Sequence, residues 1–239
     1  DTKIVDDDEL AAALSVMGAQ KYSQEFECSF IGNIQGSIYG DTIALLEDKK
    51  QVTRVPVDPS YPVNVSWDLG YNDATSLIFF QQIGHMIHIV DCYENNNEPL
   101  PHYAEVIKEK DYIIGQNYGP HDLDQTEFSS GKTRREVAYQ MGLRFKVAPK
   151  LAVEEGIHAV KMLLPRCLID VDNCKKLINA LRHYHRKFSD RERTYKIKPV
   201  HDWSSHMADS LRVLATGITE NKFNQTQKQQ TAESNYKVI

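Results

Sequence analysis

The chain has 239 residues, 41% hydrophobic and 26% charged, which allows one sizeable domain with appendages or at most two small ones. No apolar run reaches the length of a bilayer span and no signal-peptide pattern opens the chain, so no membrane partner is expected. A net charge of −5 excludes a globally basic nucleic-acid binder, although a local basic track beside an acidic site is compatible with that total.

In chain order, the acid-rich opening Asp6-Asp7-Asp8 leads into a short predicted helix, and the start at Asp1 reads as a piece of a longer protein. Gly-containing turns and a helical patch over 41–46 follow, and 49–62, with three prolines, reads as a linker. Strands are predicted at 63–68, 74–82 and 86–93, a meander of three. Beyond them come a helix at 101–112, a short strand over 118–122 running into a loop, a helix at 133–141 and a strand at 144–147. Helices at 151–164 and 173–184 complete the alternation, which implies an α/β mixed sheet with helices on both faces. Residues after Gly217 turn polar and read as a mobile or exposed tail. The four cysteines, Cys28, Cys92, Cys167 and Cys174, lack C-x-x-C or zinc-ligand spacing and read as reduced, mostly buried thiols in a cytosolic setting.

Three aspartates stand in settings that suit chemistry. Val63 and Val65 alternate with polar residues until Asp68, a carboxylate at a strand end that needs a cation or hydrogen bonds to offset its desolvation. Asp122 lies where the chain leaves the sheet after Gly119-Pro120, with Asp124 a competitor two residues on. Asp209 falls on a helix whose apolar stripe is Met207, Leu211, Leu214 and Ile218, with Ser204 or Ser205 as its cap and His206 one turn before the acid. Each alone has an ordinary reading as a turn or solvated polar residue. Together, three carboxylates match the oxygen preference of Mg²⁺ or Mn²⁺, and two such ions can clamp an in-line phosphoryl displacement.

Thr126-Glu-Phe-Ser-Ser-Gly-Lys-Thr133 ends like a phosphate-binding loop, but Thr126 stands where the first glycine is required, so nucleotide binding is rejected. Lys132, Arg134 and Arg135 are instead candidate contacts to a nucleic-acid backbone. A second basic stretch, including Arg186 and Lys187 and running on to Lys198, interleaves aromatics with cations and suits sequence-independent phosphate binding.

The combination Ser66-Trp-Asp-Leu-Gly70, Pro120-His-Asp122 and His201-Asp-Trp-Ser-Ser-His-Met-Ala-Asp-Ser-Leu-Arg212 resembles the nuclease domain of large terminase subunits from tailed bacteriophages. Gly156-Ile-His-Ala-Val-Lys-Met-Leu-Leu-Pro-Arg-Cys167 extends the likeness, and Gln24-Glu-Phe-Glu-Cys-Ser-Phe30 resembles the end of the preceding ATPase region. The resemblance implies an RNase H-like fold and a metal-dependent endonuclease cutting concatemeric double-stranded viral DNA, and little sequence preference is expected because no stretch suggests a helix built to read base edges. Asp68, Asp122 and Asp209 would bind the metal ions, with His206 a helper at the second, and Asp73 and Asp124 additional candidates for the shell. Implied partners are DNA, the portal protein, the small terminase subunit and the ATPase domain of the full-length chain, in the host cytoplasm. The expected organisation is 1–62 as N-terminal segment and linker, 63–219 as the nuclease domain and 220–239 as the tail. The alternatives are a non-catalytic portal-docking module and another RNase H-like nuclease of resolvase or transposase type.

Overall fold

The computed structural model describes residues 35–70, 73–126 and 131–218. Alternating apolar residues make the central strands what they are. Val63, Val65 and Trp67 of β2 (Val63–Asp68) point to one face and stand opposite Leu77 and Phe79 of β3 (Ala74–Ile83). Ile78 and Phe80 of β3 point to the other face. The meander continues into β4 (Met86–Asn96), antiparallel to β3.

Four more strands widen this into a seven-stranded mixed sheet. They are β1 (Val52–Thr53), β5 (Ile114–Gly119), β6 (Phe145–Val147) and β7 (Cys167–Asp170), and the order is β1-β7-β4-β3-β2-β5-β6. β5 runs parallel to β2, and β7 parallel to β4. A separate hairpin, β8 (Arg186–Ser189) with β9 (Thr194–Pro199), carries part of the basic stretch.

Helices cover both faces, and each covering face has its own apolar core. On one side lie α1 (Gly40–Asp48), α4 (Val153–Leu163), α5 (Lys175–His183) and α6 (203–218), packed on Ile78, Phe80, Ile87, Ile89 and Ile169. On the other, Tyr103, Ala104 and Ile107 of α2 (Leu100–Glu109) and Ala138 of α3 (Arg134–Gln140) cover Val65, Trp67, Leu77 and Phe79. Burial on both faces explains why β3 is buried without interruption from Thr75 to Gln81.

The structure departs from the sequence reading at several points. The expected domain start at 63 leaves out α1 and β1, yet Ile38, Tyr39, Ile43 and Leu46 sit in the same core as the sheet, and β1 pairs with β7. β7 lies between β1 and β4 but is absent from the predicted elements, because four residues between two helices are too few to show a period. β5 begins at Ile114, four residues before the expected strand at 118–122. Its polar residues Gln116 and Asn117 disguise it, although Asn117 is buried by accepting from the Trp67 indole at 3.0 Å. The cap of α6 is Asp202 and neither predicted serine: its Oδ1 accepts from Ser204 N at 2.9 Å. Thr133, which made the phosphate-loop likeness, is a capping box with Glu136: its Oγ1 accepts from Glu136 N at 3.1 Å, and the Glu136 carboxylate accepts from Thr133 N at 2.8 Å. Cys92, Cys167 and Cys174 are free thiols, the last two buried. The acid-rich opening, Gln24–Phe30, Cys28 and the polar tail lie outside the described residues.

Trp67 ties the sheet to α2 and β6, fully buried and edge-on to Tyr103 and Phe145 at 6.4 and 5.1 Å. Trp67→Ala is expected to lower folding stability by about 3–5 kcal/mol, read from denaturant unfolding, since it leaves both a cavity and an unpaired Asn117 carbonyl.

Candidate metal centre

Parallel strands leave their C-terminal ends on the same sheet edge, and the first two acids use that rule. Ser66 of β2 stands in register with Tyr118 of β5, so Asp68, the last residue of β2, lies level with the exit of β5. There Gly119 and Pro120 turn the chain into a single 3₁₀ turn, His121–Asp124. Glycine is needed at this corner, because a Cβ on residue 119 would stand 2.1 Å from Leu123 Cδ1 and 2.9 Å from Phe145 Cδ1. Leu123 is fully buried, and with it anchored Asp122 faces the cleft.

The third acid arrives on α6. Met207, Leu211, Leu214 and Ile218 bury one stripe of this helix against the sheet, as the spacing predicts. A reciprocal pair of buried hydrogen bonds then fixes its register on β2. Ser66 Oγ donates to the Ser210 carbonyl at 2.7 Å, and Ser210 Oγ donates to the Ser66 carbonyl at 3.0 Å. Ser66 is two residues before Asp68 and Ser210 one after Asp209, so the pair sets the two acids against each other. Neither serine stands out in sequence, since serine hydroxyls are common on helices and strands alike.

Asp68, Asp122 and Asp209 line one cleft of about 260 Å³, together with Arg212, Gly156 and Thr216. Burial pushes the Asp68 carboxyl well up, and the nearby charges of Asp209, Asp122 and Asp73 add to this while Arg212 opposes it. Asp209 is also raised by burial, against the pull of Arg212, His201 and His206. Asp122 Oδ1 is buried and accepts no hydrogen bond, whereas the buried Asp209 Oδ1 is taken up by an arginine. Two arginines stand beside these acids: Arg212 Nη2 lies 2.6 Å from Asp209 Oδ1, and Arg134 Nη1 lies 3.9 Å from Asp122 Oδ2. Among the described residues, no three His, Cys, Asp or Glu side chains converge closely enough to hold an ion as they stand. The donors are nevertheless hard carboxylate oxygens, with Asp122 Oδ1 buried and orphaned, and that set fits a divalent cation such as Mg²⁺ or Mn²⁺.

The other candidates divide by distance from the acids. His206 is on α6 with its ring edge-on to His201 at 5.6 Å, and it does not line the cleft. Asp73 is exposed and pairs with His201 Nε2 at 3.2 Å. Asp124 does not line the cleft and pairs with Arg135 at 3.0 Å. Lys132, Arg134 and Arg135 therefore cluster at the start of α3, beside the turn that bears Asp122. Arg186 is on the hairpin and reaches Glu154 at the start of α4, while Lys187 is exposed. Sequence reasoning passed over Arg212, whose only signal is its position one turn after Asp209.

No protein-family profile matches the chain. The terminase large subunit of Escherichia phage T5 is 23% identical over 232 residues, covering 93% of this chain and 51% of that protein. The chain thus spans about half the length of this relative. The large terminase of the thermophilic bacteriophage D6E, solved in complex with ADP, superposes with a TM-score of 0.60 at 20% identity, over 77% of this chain and 45% of that one. The large terminase nuclease of thermophilic phage G20c, solved with bound magnesium, superposes with a TM-score of 0.52 at 12% identity, over 76% of this chain and 97% of that one. The fold is that of large terminase nuclease domains. The mixed sheet with helices on both faces is accordingly RNase H-like, and the resemblance read from the sequence motifs is to the same group. On this terminase nuclease fold the cleft with the three aspartates lies at the C-terminal edge of β2 and β5.

Two outcomes follow from this geometry. Because Asp68 and Asp209 have raised carboxyl pKa values, the unfolded chain ionises first as pH rises from about 4, and the metal-free protein loses stability across that range. Asp68→Asn is expected to raise the metal-free melting temperature at neutral pH and to flatten its decline, read from thermal melts at stepped pH. Ser210→Ala, which removes one of the two clamp bonds, is expected to cost about 1 kcal/mol in equilibrium unfolding.

Proposed function

We propose that the chain is the nuclease portion of a large terminase, a divalent-metal-dependent endonuclease that cuts concatemeric double-stranded viral DNA during genome packaging. The observation that carries this reading is the convergence of Asp68, Asp122 and Asp209, from two strand ends and a helix, on one cleft of a terminase nuclease fold. Asp68, Asp122 and Asp209 would hold the ions, two in number, with His206 a helper at the second. Bound there, Mg²⁺ or Mn²⁺ supplies a Lewis acid that lowers the pKa of an attacking water and stabilises the leaving 3′ oxygen.

The remaining work falls to the chain itself. The Ser66–Ser210 pair keeps Asp68 and Asp209 at a set separation, and Leu123 holds Asp122 toward them. Asp73 pairs with His201, which stands just before α6 and whose charge favours an ionised Asp209. Lys132, Arg134, Arg135, Arg186 and Lys187 receive backbone phosphates, which gives affinity with little sequence preference. In the full-length protein the partners are the ATPase domain of the same chain, the portal and the small terminase subunit, at work in the host cytoplasm. Residues 63–219 form the nuclease unit of this reading, supported by the segment from Ser37 that packs into its core, and 220–239 form its tail.

Plasmid cleavage in Mn²⁺, Mg²⁺ and EDTA tests the assignment. Metal-dependent cutting that falls by roughly 10³-fold or more in Asp68→Ala and Asp209→Asn is the expected result. Undiminished cutting in either variant would remove that residue from the site, and a wild-type chain that neither cuts nor binds Mn²⁺ in calorimetry would favour a docking module. For DNA binding, Lys187→Gln is expected to reduce the slope of log affinity against log salt by about one, without changing sequence preference.

A further inference from the structure

Among the described residues, the cleft that receives the phosphodiester in the nuclease reading is lined by three carboxylates and by one lysine or arginine, Arg212. Its side chain is well enclosed. The aliphatic stem lies over Gly156 of α4, where a Cβ would stand 3.1 Å from Arg212 Cδ, so glycine leaves the groove that seats it. Its Nη2 lies 2.6 Å from Asp209 Oδ1, and its Nε is buried without a hydrogen-bond acceptor. The guanidinium is therefore only partly satisfied by its carboxylate partner, and part of its donor fork is unused.

The same oxygen is claimed twice. Asp209 Oδ1 is held by Arg212, and among the described residues no three ligating side chains come close enough to hold an ion as they stand. A divalent cation drawn to Asp209 would repel the guanidinium at close range, where charges interact strongly in a partly enclosed cleft. The displaced arginine then needs a new anion. A phosphodiester entering the same cleft supplies one, with the two-oxygen geometry a guanidinium fork matches well. Resting on the nuclease reading above, we propose that Arg212 and the divalent cation compete for Asp209, and that the arginine so released becomes a contact for the DNA phosphate in the cleft. Metal binding and DNA binding are coupled through one side chain, and by linkage each strengthens the other.

The test measures binding, with no cleavage required. Mn²⁺ affinity of the DNA-free chain is taken by calorimetry, and affinity for a short duplex is taken with and without Ca²⁺, for wild type, Arg212→Gln and Arg212→Lys. Arg212→Gln is expected to bind Mn²⁺ several-fold more tightly, because the competitor is gone, yet to bind DNA about tenfold more weakly in Ca²⁺. The gain in DNA affinity on adding Ca²⁺ shrinks accordingly. Arg212→Lys, which keeps the charge and loses the fork, falls between the two and carries the test should Arg212→Gln fail to fold by circular dichroism. Weaker Mn²⁺ binding in Arg212→Gln would overturn the proposal, since it would make the arginine a mere support for Asp209. An unchanged coupling between Ca²⁺ and DNA would overturn it too, leaving the nuclease reading intact. A wild-type chain silent to Mn²⁺ would overturn both.

Discussion

Two serine hydroxyls hold the arrangement of this protein together. Ser66 and Ser210 exchange hydrogen bonds with each other's carbonyls inside the core, joining strand β2 to α6 across 144 residues of chain. Apolar packing alone would let a helix slide on a sheet by fractions of a turn, because dispersion contacts are many and individually weak. Paired, directional bonds remove that freedom. The two acids that flank the serines inherit their relative position from this pair, and the cleft between the strand ends and the helix follows from it.

Against that rigid frame stands an electrostatic tension. Asp68, Asp122 and Asp209 share a partly enclosed cleft, and burial together with mutual repulsion raises the first and burial raises the last. The fold tolerates this by bringing cations close: Arg212 to Asp209, and Arg134 at longer range to Asp122. Buried carboxylates with orphaned oxygens are unfavourable for stability, and a site that keeps them is organised for a ligand more than for the folded state. The arginines act as internal counter-ions to these acids.

Around this centre the basic residues fall into two groups with different footing. Lys132, Arg134 and Arg135 gather at the start of α3, beside the turn carrying Asp122, where the Thr133–Glu136 capping box orders the helix end. Arg186 and Lys187 sit on a two-stranded hairpin outside the main sheet, tied back to α4 through Glu154. A net charge of −5 conceals both groups, because the acids of the cleft and of the solvated helices outweigh them in the sum. Long-range attraction of a polyanion depends on where charges lie, and the total says little about it.

The sequence by itself determined the three-strand meander, the helical stripe of Met207, Leu211, Leu214 and Ile218, and the three aspartates as candidates, since periodicity and acids at strand ends are local properties. It also carried the likeness to large terminases, and the large subunit of Escherichia phage T5 is 23% identical to this chain. What it did not carry was everything decided by partners distant in the chain. β7 is four residues long and acquires its place only by pairing with β1 and β4. β5 hides behind Gln116 and Asn117, the latter buried by its bond from the Trp67 indole, and α1 joins the core through contacts no linker-like composition reveals. Which side of the turn after β5 faces the cleft, and the Ser66–Ser210 pair, likewise required the tertiary structure. Each depends on two side chains meeting across long stretches of chain or on which side of a turn faces a cleft, and a local pattern contains neither.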